Sequence, residues 1–188
     1  MIYTSDHGYF LGDHGWYDKR FMYEQALRIP LIIRFPGSGS AGHVSDELTM
    51  NIDYAVTILD AAGIEPPATC QGTSLLPLVR GQHPDDWRYA VYYHYYEDSW
   101  ELQGKGDDAM AEPYAYFIPH RIGPHRGVCT DRYKLIEYYG EGDYWELFDL
   151  ELDPKELVNR YEDSGYEAVL VDMKARLTSI RSRYGDLH

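Results

Sequence analysis

Within TSDHGYFLGDHGWYDK, residues 4–19, two Asp-His pairs and a lysine crowd together, all capable of acid, base or ligand chemistry: Asp6, His7, Asp13, His14 and Lys19. Asp6-His7 follows the short run Met1-Ile2-Tyr3 and precedes Gly8. A carboxylate offers a hard oxygen and an imidazole a nitrogen to a divalent cation, while glycine lets the backbone turn sharply away. If the preceding run is a strand, the pair lies at its carboxyl end, the edge where open α/β sheets bind ligands. Lys19 adds a point charge able to neutralise a sulfate or phosphate oxygen. Taken singly, the same residues also suit plainer roles: a capped turn for Asp6-His7, a solvated surface for Lys19, and a structural or supporting imidazole for His14.

A local cation matters here because the 188 residues carry 17 Lys and Arg against 31 Asp and Glu, a formal net charge of −14. That balance repels phosphate backbones and anionic lipid, so neither nucleic acid nor a membrane surface is expected as the main partner. No run of about 18 apolar residues and no basic-then-apolar leader is present, so the sequence gives no compartment. Cys70 and Cys129 are too few for a disulfide framework and lack zinc-ligand spacing.

The elements that must position these groups follow from pattern. Leu31-Ile32-Ile33-Arg34-Phe35, between Pro30 and Pro36-Gly37, reads as a second buried strand, so that the two apolar runs suggest part of an α/β sheet. The spacing of Ala55, Ile58, Leu59 and Ala62 predicts a helix over 54–62, capped by Asn51 or Asp53 and stopped by Gly63. Pro66-Pro67 marks a linker, and 74–79 a short turn or helix ending near Gly81. From Trp87 onward, aromatic β-prone segments at 89–96, 127–130, 133–139 and 145–150 fit an antiparallel sheet. The polar stretch 104–124, rich in Gly and Pro, reads as a long excursion. Val169, Leu170, Met173, Leu177 and Ile180 predict an amphipathic helix over 166–184 that covers one face of that sheet.

Several short blocks carry a more specific signal through their order and spacing. They are Thr4-Ser5-Asp6-His7-Gly8, Leu11-Gly12-Asp13-His14-Gly15-Trp16, Asp18-Lys19, Met22-Tyr23-Glu24, Arg28-Ile29-Pro30-Leu31-Ile32 and Phe35-Pro36-Gly37. Asn51-Ile52-Asp53, Thr57-Ile58-Leu59-Asp60-Ala61-Ala62-Gly63 and Gly72-Thr73-Ser74-Leu75-Leu76-Pro77 continue them. Arg126-Gly127-Val128, Thr130-Asp131-Arg132-Tyr133-Lys134-Leu135-Ile136, Glu146-Leu147-Phe148-Asp149-Leu150, Asp153-Pro154, Glu156 and Asn159 complete the series. Together they resemble the second half of the type I, formylglycine-dependent sulfatases of the alkaline phosphatase superfamily, leaving mainly residues 97–124 outside.

The resemblance implies an α/β fold: the C-terminal part of an alkaline-phosphatase-like sulfatase domain over 1–64, then a small α+β subdomain over 65–188. It implies Ca²⁺ or another divalent cation held partly by Asp6 and His7, Lys19 on the sulfate, and His125 placed to reach the outer part of the substrate. The substrate class implied is a small anionic ester, a sulfated saccharide foremost. A histidine as the second metal residue resembles iduronate-type sulfatases and the related phosphonate and phosphodiester hydrolases, which stand as alternatives. The family's nucleophile is a cysteine or serine in Cys-x-Pro-x-Arg, oxidised to formylglycine. Here Cys70 reads Cys-Gln-Gly-Thr-Ser and Cys129 reads Cys-Thr-Asp-Arg-Tyr, and neither matches. The expectation is therefore half a site, inactive alone, whose nucleophile and remaining ligands lie on an N-terminal half; a non-catalytic module is the other reading. Within the excursion, Trp100, Tyr114, Tyr116 and Phe117 suit either stacking on sugar rings or packing.

Overall fold

The structure, a computed structural model, describes residues 1–37, 42–96, 122–139 and 144–186. Strand β1 (Ile2–Thr4) runs into a loop holding a 3-10 turn (Asp13–Gly15), then helix α1 (Glu24–Leu27), and the chain returns as β2 (Leu31–Ile33). β1 and β2 pair antiparallel, Ile2 opposite Ile33 and Thr4 opposite Leu31. Both expected strands form, yet Tyr3 is 61% and Ile32 58% exposed, so one face of this ribbon is uncovered among the described residues.

Helix α2 (Asp53–Ala61) ends at Gly63, whose φ of +70° suits a residue without Cβ. Asp53 does not cap it as a sequence pattern suggests. Its buried carboxylate instead accepts the Met50 amide at 2.7 Å, the Thr73 amide at 2.8 Å and both Arg88 guanidinium nitrogens, at 2.5 and 2.7 Å. The cap preference of Asp is outweighed here by a bidentate ion pair that ties the helix start to residue 88. Helix α3 (Leu76–Val79) follows.

The second half is a four-stranded antiparallel sheet in the order β3 (Val91–Tyr95), β4 (His125–Cys129), β5 (Tyr133–Tyr138) and β6 (Tyr144–Asp149). Helix α4 (Glu167–Tyr184) lays Met173, Leu177 and Ile180 on one face, against Val128, Leu135 and Leu147. The opposite face is covered by the N-terminal segment, with Phe10, Met22, Tyr23 and Ala26 packed on Cys129, Ile136 and Phe148. Covered on both faces, β4 is buried at every position. Gly127 makes the fit possible: a Cβ there would lie 2.4 Å from the Leu135 carbonyl oxygen and 2.5 Å from Met22 Sδ. The outer edge of β6 is closed by Asn159, whose amide donates to the Trp145 carbonyl at 2.9 Å and whose oxygen accepts the Leu147 amide at 3.0 Å.

Charge is buried at the same seam. The Lys134 ammonium, on β5, donates to Glu24 at 2.8 Å and Glu156 at 2.6 Å, and the Glu24 amide donates to Glu156 at 2.7 Å. Tyr23 donates to the buried Glu146 carboxylate, 2.9 and 2.8 Å from its two oxygens. These contacts fix α1, and so the loop that precedes it, to the sheet.

Candidate metal and anion site

The loop after β1 gathers Asp6, His7 and Lys19. Gly8 makes its turn possible: its amide donates to the Ala26 carbonyl at 2.7 Å, and a Cβ would come within 2.1 Å of the Gln25 carbonyl oxygen. The Ser5 hydroxyl donates to the His7 carbonyl at 2.8 Å, and the His7 amide donates to Asp6 Oδ1 at 3.1 Å. The imidazole is oriented by its own loop, since Nδ1 lies 2.7 Å from the Gly8 carbonyl oxygen. A carbonyl only accepts, so in the neutral ring Nδ1 carries the proton and Nε2 presents its lone pair.

That lone pair faces 2.9 Å from the Lys19 ammonium, and Asp6 Oδ2 lies 3.4 Å from Nε2. Hydrogen bonding from its own amide, with that of the His7 amide and the nearby Lys19 ammonium adding to it, holds the exposed Asp6 carboxyl below the usual carboxylate range against desolvation. One carboxylate oxygen and one imidazole nitrogen, 3.4 Å apart with the nitrogen turned towards an ammonium, are a donor set that fits a hard or borderline divalent cation. They are two ligands only, and no group of three or more His, Cys, Asp and Glu side chains suited to a metal exists among the described residues. A shallow cleft of about 430 Å³, lined by Thr4, Ser5, Asp6, Asn51, Ile52 and Tyr54, opens beside Asp6.

The second Asp-His pair does different work. His14 adopts φ +52° and stacks on Tyr23 at 4.8 Å between centroids, with Phe10 edge-on at 6.0 Å. Asp13 is exposed at the start of the 3-10 turn, where the Trp16 amide donates to its carbonyl. His125 lies at the head of β4, 0% exposed, among Phe21, Tyr93, Tyr95 and Tyr138. Its Nδ1 is 3.0 Å from the Gly123 carbonyl oxygen, and burial pulls its pKa down to about 4, so the ring is neutral at physiological pH. The structure thus brings Asp6, His7 and Lys19 together and leaves His125 beneath the loop rather than on the surface. Cys129 is not an activated nucleophile, since burial pushes its thiol up to about 12; Cys70 is a free, half-buried thiol. Trp100, Tyr114, Tyr116 and Phe117 lie outside the described residues.

Asp18 was not singled out by residue type, although an acid next to a candidate anion-binding lysine was the available signal. It is buried and accepts the Lys19 amide at 2.6 Å.

Comparison with known proteins gives a consistent result. The family model described as N-sulphoglucosamine sulphohydrolase, C-terminal, matches residues 12–183. The N-acetylglucosamine-6-O-sulfatase of Bacteroides thetaiotaomicron is 41% identical over 99% of this chain and 30% of its own length. A solved structure described as in complex with its substrate D-glucosamine-2-N,6-O-disulfate superposes with a TM-score of 0.84 at 40% identity, covering 99% of this chain and 34% of that one. The phosphonate monoester hydrolase of Agrobacterium radiobacter superposes with a TM-score of 0.78 at 29% identity, over 97% of this chain and 35% of its own. The chain spans about a third of the length of these relatives.

Proposed function

The chain belongs to the sulfatases of the alkaline phosphatase superfamily, corresponding to their C-terminal part, and on that premise we propose that it contributes part of the active site of an enzyme hydrolysing sulfate esters of glucosamine-type saccharides. The placement of His7 Nε2 2.9 Å from the Lys19 ammonium and 3.4 Å from an Asp6 carboxylate oxygen carries the reading. Asp6 and His7 would hold Ca²⁺ or a similar cation, and such an ion, when bound, offsets negative charge on the ester's oxygens. Lys19 places its ammonium against the sulfate and stabilises charge that develops there. Gly8 and its carbonyl keep the His7 ring in the tautomer that leaves Nε2 free. Residues 1–64 are the part that completes the catalytic domain, and 65–188 the subdomain on which it rests. The nucleophile, a formylglycine in this family, and the other cation ligands would come from an N-terminal portion, and the 188 residues alone would not turn over substrate.

The sugar assignment is supported by the glucosamine sulfates acted on or bound by the 41% and 40% identical relatives. The phosphonate reading is favoured by two phosphonate monoester hydrolases with the same architecture, 29% and 30% identical. Replacing the matching C-terminal third of the Bacteroides thetaiotaomicron enzyme with these 188 residues tests both. Sulfate release from N-acetylglucosamine 6-sulfate at a rate exceeding that on a phenyl phosphonate monoester supports the sulfatase reading, and the reverse preference overturns it.

A further inference from the structure

The loop carrying Lys19 is held on both sides, and one of its holders comes from the sheet more than seventy residues away. Before Lys19, the Asp18 carboxylate accepts the Lys19 amide at 2.6 Å and lies 3.4 Å from Arg20 Nε, while the Asp18 carbonyl accepts the Phe10 amide at 2.8 Å. After it, the Arg20 carbonyl accepts the Tyr93 hydroxyl at 3.1 Å. Phe21 then stacks on Trp16 at 3.7 Å and lies over His125 at 6.4 Å. Tyr93 pairs across β3 and β4 with Gly127, the residue whose missing side chain makes room for Met22. At this rung the chain around Lys19 is seated on the sheet by the Tyr93 hydroxyl and by the Met22 sulfur in the gap at Gly127.

A lysine ammonium sits on a stem of four rotatable bonds, so its mean position depends on where its backbone is fixed. We propose that Tyr93 is a positioning residue for Lys19: its hydroxyl anchors the Arg20 carbonyl and thereby sets the point from which the ammonium reaches the anionic group of the substrate. The inference rests on the sulfate-contact role proposed for Lys19. Burial pushes the Tyr93 hydroxyl up to about 12, so it remains a donor across the physiological range. The anchor belongs to the C-terminal sheet, which gives that subdomain a part in catalysis without touching substrate.

Tyr93→Phe keeps the ring that packs beside Met22 and removes only the donor. In the 188-residue chain, amide hydrogen exchange at Phe10 and Lys19 should quicken by about 2- to 12-fold, the equivalent of one neutral hydrogen bond, with β4 and β5 unchanged. Unchanged exchange at both amides overturns the anchor. In the graft described above, Tyr93→Phe should lower kcat/KM on the sulfate ester by a similar factor, and by less than about 2-fold when Lys19 is already methionine. An equal loss on both backgrounds shows a merely structural tyrosine and overturns the inference while leaving the Lys19 assignment intact. Lys19→Met with undiminished turnover overturns the Lys19 assignment itself and the catalytic half of the inference with it.

Discussion

Replacing Lys134 by methionine keeps most of the side-chain volume and removes a single charge from the seam between the N-terminal segment and the sheet. In the native structure the ammonium is fully buried, 2.6 Å from an equally buried Glu156 oxygen and 2.8 Å from Glu24, which is partly exposed. A pair of unit charges about 4 Å apart attracts by about 4 kcal/mol at an effective dielectric of about 20. Much of that offsets desolvation, and the Glu24 contact is discounted for its exposure. What remains after the substitution is a buried carboxylate without its counterion, a defect that costs about 3–5 kcal/mol. For a chain of this size that corresponds to a melting temperature lower by about 6–20 °C. The deficit should depend on pH. Burial already pushes the Glu156 carboxyl above its ordinary value, and loss of Lys134 raises it further. A folded state that holds a proton more tightly than the unfolded chain gains stability as pH falls, so the deficit narrows from neutrality towards the unfolded glutamate value of about 4.3. Adding Glu156→Gln removes the orphaned charge while a side-chain oxygen still accepts the Glu24 amide, and should recover part of the loss. Thermal and urea unfolding of the two variants across pH 5–8 make the measurement. A loss below about 1 kcal/mol for Lys134→Met, or one independent of pH, would refute the reasoning that this seam is held by a compensated buried charge.

Three further outcomes follow from the same structure. With a thiol reagent at pH 8, half-buried Cys70 should react in the folded chain, whereas Cys129, pushed up to about 12 by burial, should react only after denaturation. In an alkaline titration followed by tyrosinate absorbance, Tyr93 stays protonated to about 12, and burial raises Tyr23, Tyr92 and Tyr138 as well. The unfolded chain releases those protons near pH 10, so stability should fall as pH rises beyond that value and this class of tyrosines should ionise together with unfolding. Gly8→Ala would drive a Cβ to 2.1 Å from the Gln25 carbonyl oxygen, and should cost about 1–3 kcal/mol in denaturant unfolding and shift the His7 ring resonances.

The parts of this account that were legible in sequence are those whose chemistry is local. Asp6, His7 and Lys19 lie within fourteen residues, and the loop that joins them needs only a glycine at its turn. The helix Glu167–Tyr184 carries its own periodicity, and the strands their own turn signals. Residues whose role depends on distant partners were silent. Tyr93 is one aromatic in a run of tyrosines until the Arg20 carbonyl is placed beside it, and Lys134 reads as an ordinary strand lysine until Glu24 and Glu156 close on it. His125 was placed towards the outer part of the substrate by the family resemblance alone, and nothing in its sequence neighbours signals burial. Its burial comes from coverage of β4 by α4 on one side and the N-terminal segment on the other, contacts made by residues far away in the chain. Asp53 shows the same conflict in a helix, where cap propensity lost to an ion pair with Arg88.

The central claim is that Asp6, His7 and Lys19 act together on a sulfate ester. The most direct test is sulfate release from N-acetylglucosamine 6-sulfate by the grafted enzyme, comparing the unaltered chain with Asp6→Ala, His7→Ala and Lys19→Ala, with divalent metal content measured on each. Expected are turnover in the unaltered graft, loss of bound metal with Asp6→Ala or His7→Ala, and a fall of about 10²–10³ in kcat with metal retained for Lys19→Ala. Full metal content in the Asp6 and His7 variants, or undiminished turnover without Lys19, would contradict it.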